Sequence, residues 1–159
     1  MKNRVKQFVA PTLIVALFSA AGLVMAQQAP KPETLIKVRQ SAFQVVAWNS
    51  TRIKASLEGT YNKEDVIKSA NAIAAIANSG LGSLFAAGTE TGKGWHETSA
   101  KAEVFSNGAR FAELGANFGK EANELASVAL SGDANLVKNQ YGKLTSTCKA
   151  CHNDFKSKD

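Results

Sequence analysis

Two cysteines and a histidine lie together near the end of the chain, in the run Cys148-Lys149-Ala150-Cys151-His152. Each part of a C-x-x-C-H run has a chemical role in the attachment of a c-type haem. The two thiols form thioethers with the haem vinyl groups, and the adjacent imidazole binds the iron. On a helix, two sulfurs three residues apart share one face. The run therefore predicts one covalently attached haem c, anchored by Cys148 and Cys151, with His152 as a ligand to the iron.

Two other kinds of site also use a C-x-x-C pair, and both suit this chain less well. A structural zinc ion needs four ligands, and beyond the run the chain offers only His96 and carboxylates, with no second C-x-x-C pair. A dithiol oxidoreductase places its cysteines where a helix begins after a strand, whereas this run lies deep in a helical pattern. Haem attachment is the favoured interpretation.

The methionines bear on the second axial position of the iron. The chain has two, Met1 and Met25, and both fall in a segment with the pattern of a cleavable leader. Once that leader is removed, the His/Met ligation of electron-transfer cytochromes c is not available. The only other histidine, His96, is flanked by a glycine-rich loop, which suits a solvated residue better than a well-held second ligand. We expect an open iron position that binds small molecules, with bis-histidine ligation as the disfavoured alternative.

The N-terminal segment has the parts of a secretory signal peptide. A basic stretch is followed by a mostly apolar run over residues 8–23 and by a small-residue cleavage site at residues 24–26. We predict cleavage after Ala26, which leaves residues 27–159 in the periplasm, where bacteria attach haem through thioethers. An uncleaved membrane anchor is the alternative, and Pro11 within the apolar run disfavours it.

Charge and motif content argue against several classes of function. Loss of the leader removes three of the 19 basic residues, so the formal net charge of +6 falls by three. Such a weak positive charge gives no reason to expect a nucleic acid as a partner. The sequence has no Gly-rich phosphate loop, no H-x-x-x-H pair and no Ser-His-Asp set.

The rest of the chain has the pattern of an all-helical protein. Its segments are rich in alanine, carry apolar residues three or four positions apart, and have almost no alternating β-branched runs. Turn and capping residues divide this pattern into four helices. They are predicted from Pro32 or Glu33 to Leu57, from the N-cap Asn62 towards Phe85, from a cap at Thr98 or Ser99 to Leu130, and from the turn at residues 131–133 to Phe155.

Long helices joined by short turns predict one all-α domain over residues 27–159, an antiparallel up-and-down four-helix bundle with haem c in its core. Residues 88–98 form a longer loop between the second and third helices. Because the attachment helix comes last, an earlier helix must cover the other face of the haem, and the first is the best candidate. The weakly polar run at residues 70–87 is too interrupted for a membrane span, so no membrane is expected as a partner after leader cleavage.

Three further stretches, taken with the C-K-A-C-H run, carry a likeness to a known family. They are R-Q-S-A-F at residues 39–43, I-A-A-I-A at residues 73–77 and F-A-A-G-T-E at residues 85–90. Over essentially the whole chain after the leader, the sequence resembles cytochrome c′, the class II c-type cytochromes. A C-x-x-C-H run occurs in all c-type cytochromes, but its combination with these stretches at these distances is much more specific.

The resemblance implies roles for residues outside the run. Arg39, Gln40, Thr89 and Glu90 would contact the haem or its propionates, and Phe43 would cap the distal face of the haem. Without the resemblance, a lone aromatic such as Phe43 is more simply a core residue. By the same reasoning, Arg39 is more simply a solvated charge on a helix face.

On the proximal side, Lys156 would lie beside the imidazole of His152. Many relatives have arginine at this position, and a lysine ammonium cannot reproduce the planar fork of a guanidinium. Lys156 would therefore place a single ammonium beside the imidazole where those relatives have a guanidinium.

The resemblance also implies a function. The protein would hold high-spin, five-coordinate iron and bind small gaseous ligands, most of all nitric oxide, and also carbon monoxide. An apolar distal wall offers no hydrogen-bond donor to bound dioxygen, whereas neutral nitric oxide and carbon monoxide do not depend on one. We expect a protein that is not an enzyme, because no acid or base for peroxidase chemistry is evident near Phe43. A periplasmic electron-transfer cytochrome is the alternative.

Two surface features suggest protein partners. The apolar residues of the first helix cover a wider arc than one bundle face requires, and a helix-to-helix homodimer would bury the surplus: Val38, Val45, Val46, Trp48 and Ile53. Several lysines of the last helix are most simply a solvated face, although they could also guide an acidic redox partner: Lys138, Lys143, Lys149, Lys156 and Lys158.

Overall fold

The computed structural model describes residues 29–157 of the chain. The predicted signal peptide, its cleavage after Ala26 and the side chain of Lys158 lie outside the described residues. The helices are α1 (Pro32–Glu58), α2 (Lys63–Ala77), α3 (Glu103–Ser106), α4 (Gly108–Ala129) and α5 (Ala134–Phe155), with a 3₁₀ turn at Leu81–Leu84. Within this part of the chain, no helix combines the length and the hydropathy that crossing a bilayer requires.

The four long helices pack as an antiparallel bundle, which confirms the predicted fold. The α1 helix lies along α2, α2 along α4, and α4 along α5. Their apolar residues recur every three or four positions, so each helix buries one stripe against its neighbours. The largest side chains with no exposed surface in this core are Ile53, Val66, Ile73, Leu125 and Val137. Burial of each such side chain contributes about 1.5–3 kcal/mol to the fold.

The starts of α1, α2 and α5 follow local signals and were predicted correctly. Pro32 occupies the first turn of α1, and Glu33 lies at its positive end. The side chain of Asn62 accepts a hydrogen bond from the Asp65 backbone N–H at 3.1 Å and caps α2. Asp133 caps α5 by accepting from two backbone N–H groups of its first turn, at 2.8 and 3.1 Å.

The second helix is shorter than the sequence pattern predicted. It ends at Ala77, and Gly80 then adopts a left-handed conformation with φ of 82°. Only glycine takes this conformation without steric cost, so the chain leaves the helical path here. The 3₁₀ turn follows, and Phe85 lies after it in the loop rather than at the end of α2.

The prediction that Thr98 or Ser99 caps the third helix was wrong. The long helix α4 begins at Gly108, and only the four-residue helix α3 precedes it. The Thr98 hydroxyl accepts a hydrogen bond from the Arg39 guanidinium, and the Ser99 carbonyl accepts one from the Ser157 backbone N–H at 2.8 Å. These contacts with distant parts of the chain hold Thr98 and Ser99 in the loop, and the Thr98 hydroxyl also accepts from the Ala100 backbone N–H at 3.2 Å without starting a helix.

Candidate haem site

The two cysteines lie on the last two turns of α5 as free thiols, each half-buried. Burial is the main cause that raises the pKa of both Cys148 and Cys151 above the ordinary value. A dithiol redox centre needs a lowered thiol pKa, so these cysteines do not have the electrostatics of one. Cys151 packs against a small apolar cluster formed by Val104, Leu114 and Phe155. Cys151 thus faces hydrocarbon from α3, α4 and α5, which suits a porphyrin edge.

His152 follows directly and is exposed to solvent on one side. Desolvation by the protein on its other side lowers the pKa of His152, and the nearby Lys156 ammonium lowers it further. The imidazole is therefore neutral at pH 7, the form that binds a metal ion. His152 and Lys156 line the same open cleft of about 410 Å³, together with Lys101, Asn153 and Ser157. The structure thus brings Lys156 to the side of His152, as the resemblance implied.

A row of four phenylalanines connects the first helix to the last. Phe43 of α1, Phe85 of the loop, Phe111 of α4 and Phe155 of α5 stack edge to face, with ring centroids 6.4, 4.8 and 5.4 Å apart in that order. Phe43 ends this aromatic row and keeps 39% of its surface exposed. It is therefore not a plain core residue. Its place at the open end of the row agrees with a distal position.

Arg39 is buried, with 4% of its surface exposed, so its interpretation as a solvated charge was wrong. The guanidinium donates to the Thr89 hydroxyl at 2.8 Å, to the Thr89 carbonyl at 2.7 Å and to the Thr98 hydroxyl. It also lies 4.7 Å from the ring centre of Phe85. Burial lowers the pKa of Arg39, and every one of these hydrogen-bond acceptors is neutral.

The buried charge of Arg39 is relevant to whether this site fits a haem. A guanidinium held away from water gains most from an anionic partner, and a carboxylate is the anion that its fork matches best. Haem carries two propionates. Arg39 lies four residues before Phe43 on the same face of α1 and shares Phe85 with it. The thiols, the neutral imidazole, the aromatic row and the buried cation together fit haem c.

Gln40 and Glu90, which the resemblance also singled out, form hydrogen bonds with backbone groups of the loop. The Gln40 amide oxygen accepts from the Trp95 backbone N–H at 2.7 Å, and its amide nitrogen donates to the His96 carbonyl at 2.9 Å. Glu90 accepts from the Gly88 backbone N–H at 2.8 Å. His96 itself is an exposed loop residue, as predicted. Gln40 thus joins Arg39 and Thr89 where α1 meets the loop, whereas Glu90 bonds within its own turn.

Comparison with known proteins agrees with this geometry. A family model described as Cytochrome C′ matches residues 34–156. A cytochrome c′ from Rhodocyclus tenuis is 62% identical over 130 residues, which cover 81% of this chain and 98% of that protein. The crystal structure of cytochrome c′ from Thermochromatium tepidum is 42% identical and superposes with a TM-score of 0.78, covering 81% of this chain and 98% of its own.

This chain belongs to the cytochrome c′ family. Proteins of the cytochrome c′ family bind haem c, and the two cysteines of this chain agree with covalent attachment.

Solved members of the cytochrome c′ family also show ligands and assembly. One with ligand-controlled dimer dissociation is 41% identical, with a TM-score of 0.79 over 82% of this chain and 99% of its own. A ferrous arginine-to-lysine variant of the Alcaligenes xylosoxidans protein carries bound NO, at 25% identity and a TM-score of 0.73 over 83% and 100%. A leucine-to-glycine variant of the same protein carries carbon monoxide, at 25% identity and a TM-score of 0.72 over 80% and 98%.

Several residues that shape this cytochrome c′ site were missed from the sequence. Trp95 donates its indole N–H to the Ser41 hydroxyl at 2.8 Å, and the Lys37 ammonium lies 3.9 Å from its ring centre. Thr98 and Phe111 complete the surroundings of Arg39 and Phe85. Their partners are 20 to 60 residues away in the chain, so no short motif marks them.

Gly94 lies close against α1, and we expect Gly94→Ala to destabilise the protein by about 1–3 kcal/mol. A Cβ there would lie 2.5 Å from the Gln40 amide oxygen and 2.7 and 2.8 Å from the Lys37 backbone N and Cα. Because backbone atoms cannot move aside, the loop must shift. Denaturant unfolding measures the change.

The matched control is Gly115→Ala in α4, where a Cβ meets nothing within 4 Å. This variant should stabilise the protein by about 0.5–1 kcal/mol, because alanine loses less backbone entropy in a helix. Equal stabilities for the two variants would show that the loop is not held against α1.

Proposed function

We propose that this protein is a periplasmic gas-binding haem c protein. One haem is attached through Cys148 and Cys151, with iron ligated by His152 and no protein ligand on the opposite side. Its role is the reversible capture of nitric oxide, which limits or buffers the concentration of this toxic gas, and it also binds carbon monoxide. It is not an enzyme. The bound forms of the Alcaligenes xylosoxidans relative, with NO and with carbon monoxide, support this choice of ligands.

The observation that carries the proposal is the set of side chains that could ligate the iron. The chain has two histidines and two methionines, and both methionines lie in the predicted leader. His96 is exposed, and its ring nitrogen lies 2.9 Å from the Glu97 carbonyl oxygen. On the side of α1 stand hydrocarbon rings, Phe43 and Phe85. His152 is then the one imidazole next to the thiols.

The residues on the distal side favour small neutral ligands. When bound, the haem supplies an iron with one open coordination position. Phe43 restricts the space over that position, and its ring carries no hydrogen-bond donor. Arg39 lies four residues before Phe43 on the same face of α1, and its two terminal nitrogens donate to the Leu84 carbonyl, Thr89 and Thr98. Ligands that need a donor for stable binding are therefore disfavoured relative to nitric oxide and carbon monoxide.

Optical titration of the ferrous protein with carbon monoxide and nitric oxide tests the proposed function. We expect saturable uptake of one molecule of either gas per chain, with carbon monoxide released again under inert gas. A ferrous protein whose spectrum ignores carbon monoxide would instead support the alternative, a periplasmic electron-transfer cytochrome. The exposed Lys138, Lys143 and Lys149 of α5 would then be the surface that faces its redox partner.

We further propose that the protein forms a homodimer through α1. Val46 and Ile53 are buried in the bundle, whereas Val38, Val45 and Trp48 stay 47%, 46% and 65% exposed. These three lie on one face of α1, and a second copy would cover them. A relative with ligand-controlled dimer dissociation supports this assembly.

The variant Trp48→Glu should shift the dimer to monomer, because two carboxylates at a self-complementary apolar interface repel each other and lose hydration. Sedimentation equilibrium measures the result. Asn139→Glu, at an exposed position of α5, is the control for added charge. A dimer that survives Trp48→Glu unchanged would place the interface elsewhere.

A further inference from the structure

The C-terminal end of α5 is held by a lysine from a distant loop. A helix leaves its last four carbonyl groups without partners inside the helix. In α5 the Asn153 and Asp154 carbonyls accept from the Lys101 ammonium at 3.0 and 3.2 Å, and the Phe155 carbonyl accepts from the Lys101 backbone N–H at 2.9 Å. The remaining carbonyl, of His152, accepts from the Lys156 backbone N–H at 3.1 Å. Lys101 thus donates hydrogen bonds to three of the last four carbonyl groups of α5.

The backbone next to Lys101 strengthens this contact. Ala100 forms an antiparallel bridge with Lys156, and the Ser157 backbone N–H donates to the Ser99 carbonyl at 2.8 Å. The segment at residues 99–101 therefore lies alongside the chain where it leaves α5. Upstream, the same loop is bonded to α1 through Thr98 and Arg39. Lys101 is held by the fold on both sides, unlike a lysine that extends freely from the surface.

The turn that Lys101 caps is the turn that carries the iron ligand. His152 is the first residue of this last turn of α5, and the carbonyls bonded to Lys101 belong to the three residues that follow. A helix end without bonded carbonyls frays, and a positive charge at this end also interacts favourably with the helix dipole. Fraying here would change the angle at which the His152 ring meets the iron. Groups that orient a metal ligand affect the metal site even though they do not touch the metal.

We propose that Lys101 is a positioning residue for the haem iron: its ammonium fixes the last turn of α5 and thereby the orientation of His152. The inference rests on the proposed ligation of iron by His152. It assigns a function to a side chain outside the C-x-x-C-H run, and it makes the loop at residues 99–101 part of the proximal side.

The test uses the haem-loaded full-length protein and the variant Lys101→Met. Methionine keeps the length of the side chain and the backbone N–H bond to Phe155, but it removes both ammonium bonds. Resonance Raman spectra of the ferrous protein report the iron–histidine stretching band, which depends on ring orientation. We expect one narrow band in the wild type, and a broadened or shifted band with a changed midpoint potential in Lys101→Met. Lys101→Arg, which keeps the charge and the donors, should restore the narrow band.

Lys138→Met is the matched control, because Lys138 is an exposed lysine in the first half of α5. It should leave the band and the potential unchanged. If the wild type shows an iron–histidine band and Lys101→Met shows the same band and potential, the positioning role is wrong while the proposed ligation stands. If the wild type shows no iron–histidine band at all, the ligation by His152 itself is wrong.

Discussion

A chain in which Cys148 and Cys151 are both replaced by serine is expected to lose all covalently bound haem. Thioether formation needs a sulfur nucleophile, and serine keeps the size and polarity of the side chain without that reactivity. The haem of this variant should be extracted completely by acidified acetone, and the haem-stained band of the chain on a denaturing gel should disappear. His152 is unchanged in the variant, so the experiment separates attachment from ligation.

The single variants Cys148→Ser and Cys151→Ser are the controls for the double variant. Each keeps one thiol on the same face of α5, so each should retain haem through one thioether, with a shifted optical spectrum. Covalent haem in the double variant would contradict the assignment of these two residues. If only one of the single variants loses all covalent haem, attachment would be assigned to the cysteine that this variant lacks.

The second large effect is expected at Phe43, where replacement by alanine should raise the affinity for carbon monoxide by about 5- to 30-fold. If Phe43 covers the distal face as proposed, a ligand there displaces its ring from the contact with Phe85, whose ring centroid is 6.4 Å away. For a ring that is already 39% exposed, we take the cost as about 1–2 kcal/mol. In Phe43→Ala there is no ring to displace, so this free energy no longer opposes ligand binding. Equilibrium titration of the ferrous protein gives the ratio of affinities.

Leu136→Ala is the matched control for Phe43→Ala. Leu136 is 52% exposed on α5, outside the aromatic row and outside the proposed dimer face of α1. Its truncation removes an apolar side chain from the surface and should leave the affinity unchanged. If Phe43→Ala also binds carbon monoxide with wild-type affinity, Phe43 does not cover the distal face.

The features predicted correctly from the sequence are those with local physical causes. Asn62 was predicted as a cap, and its side chain reaches an N–H group three residues away. The start of α5 was predicted from the turn at residues 131–133, where the Asp133 side chain reaches N–H groups two and three residues away. The thiols and the imidazole of the C-x-x-C-H run are adjacent in sequence, so one helix is enough to bring them together. The bundle follows from the apolar stripes of four helices, which can be buried only against one another.

The features missed depend on residues far apart in the chain. Thr98 has the sequence context of a helix cap, yet Arg39, 59 residues away, takes its hydroxyl. The burial of Arg39 could not be predicted from α1 alone, because the loop that covers it was assigned only as a linker. Lys101 was part of the stretch expected to enter the third helix, and its partners are 52 and 53 residues further on. Local propensity carries no information on such contacts.

The fold explains how one loop connects α1 to the turn that carries His152. On α1, Arg39 and Phe43 are four residues apart and so face the same side, where each contacts Phe85. The loop that carries Phe85 continues to Thr98 and Lys101 and reaches the end of α5. The loop between α2 and α4 therefore contacts the distal helix, the buried cation and the turn that carries His152.

The coordination number of the iron tests the central claim most directly. Electron paramagnetic resonance of the ferric protein and resonance Raman spin-state bands of both oxidation states measure it without an added ligand. We predict high-spin, five-coordinate iron in both states, with His152 as the one axial protein ligand. A six-coordinate, low-spin spectrum that arises from a nitrogen or sulfur of a second side chain would contradict the account.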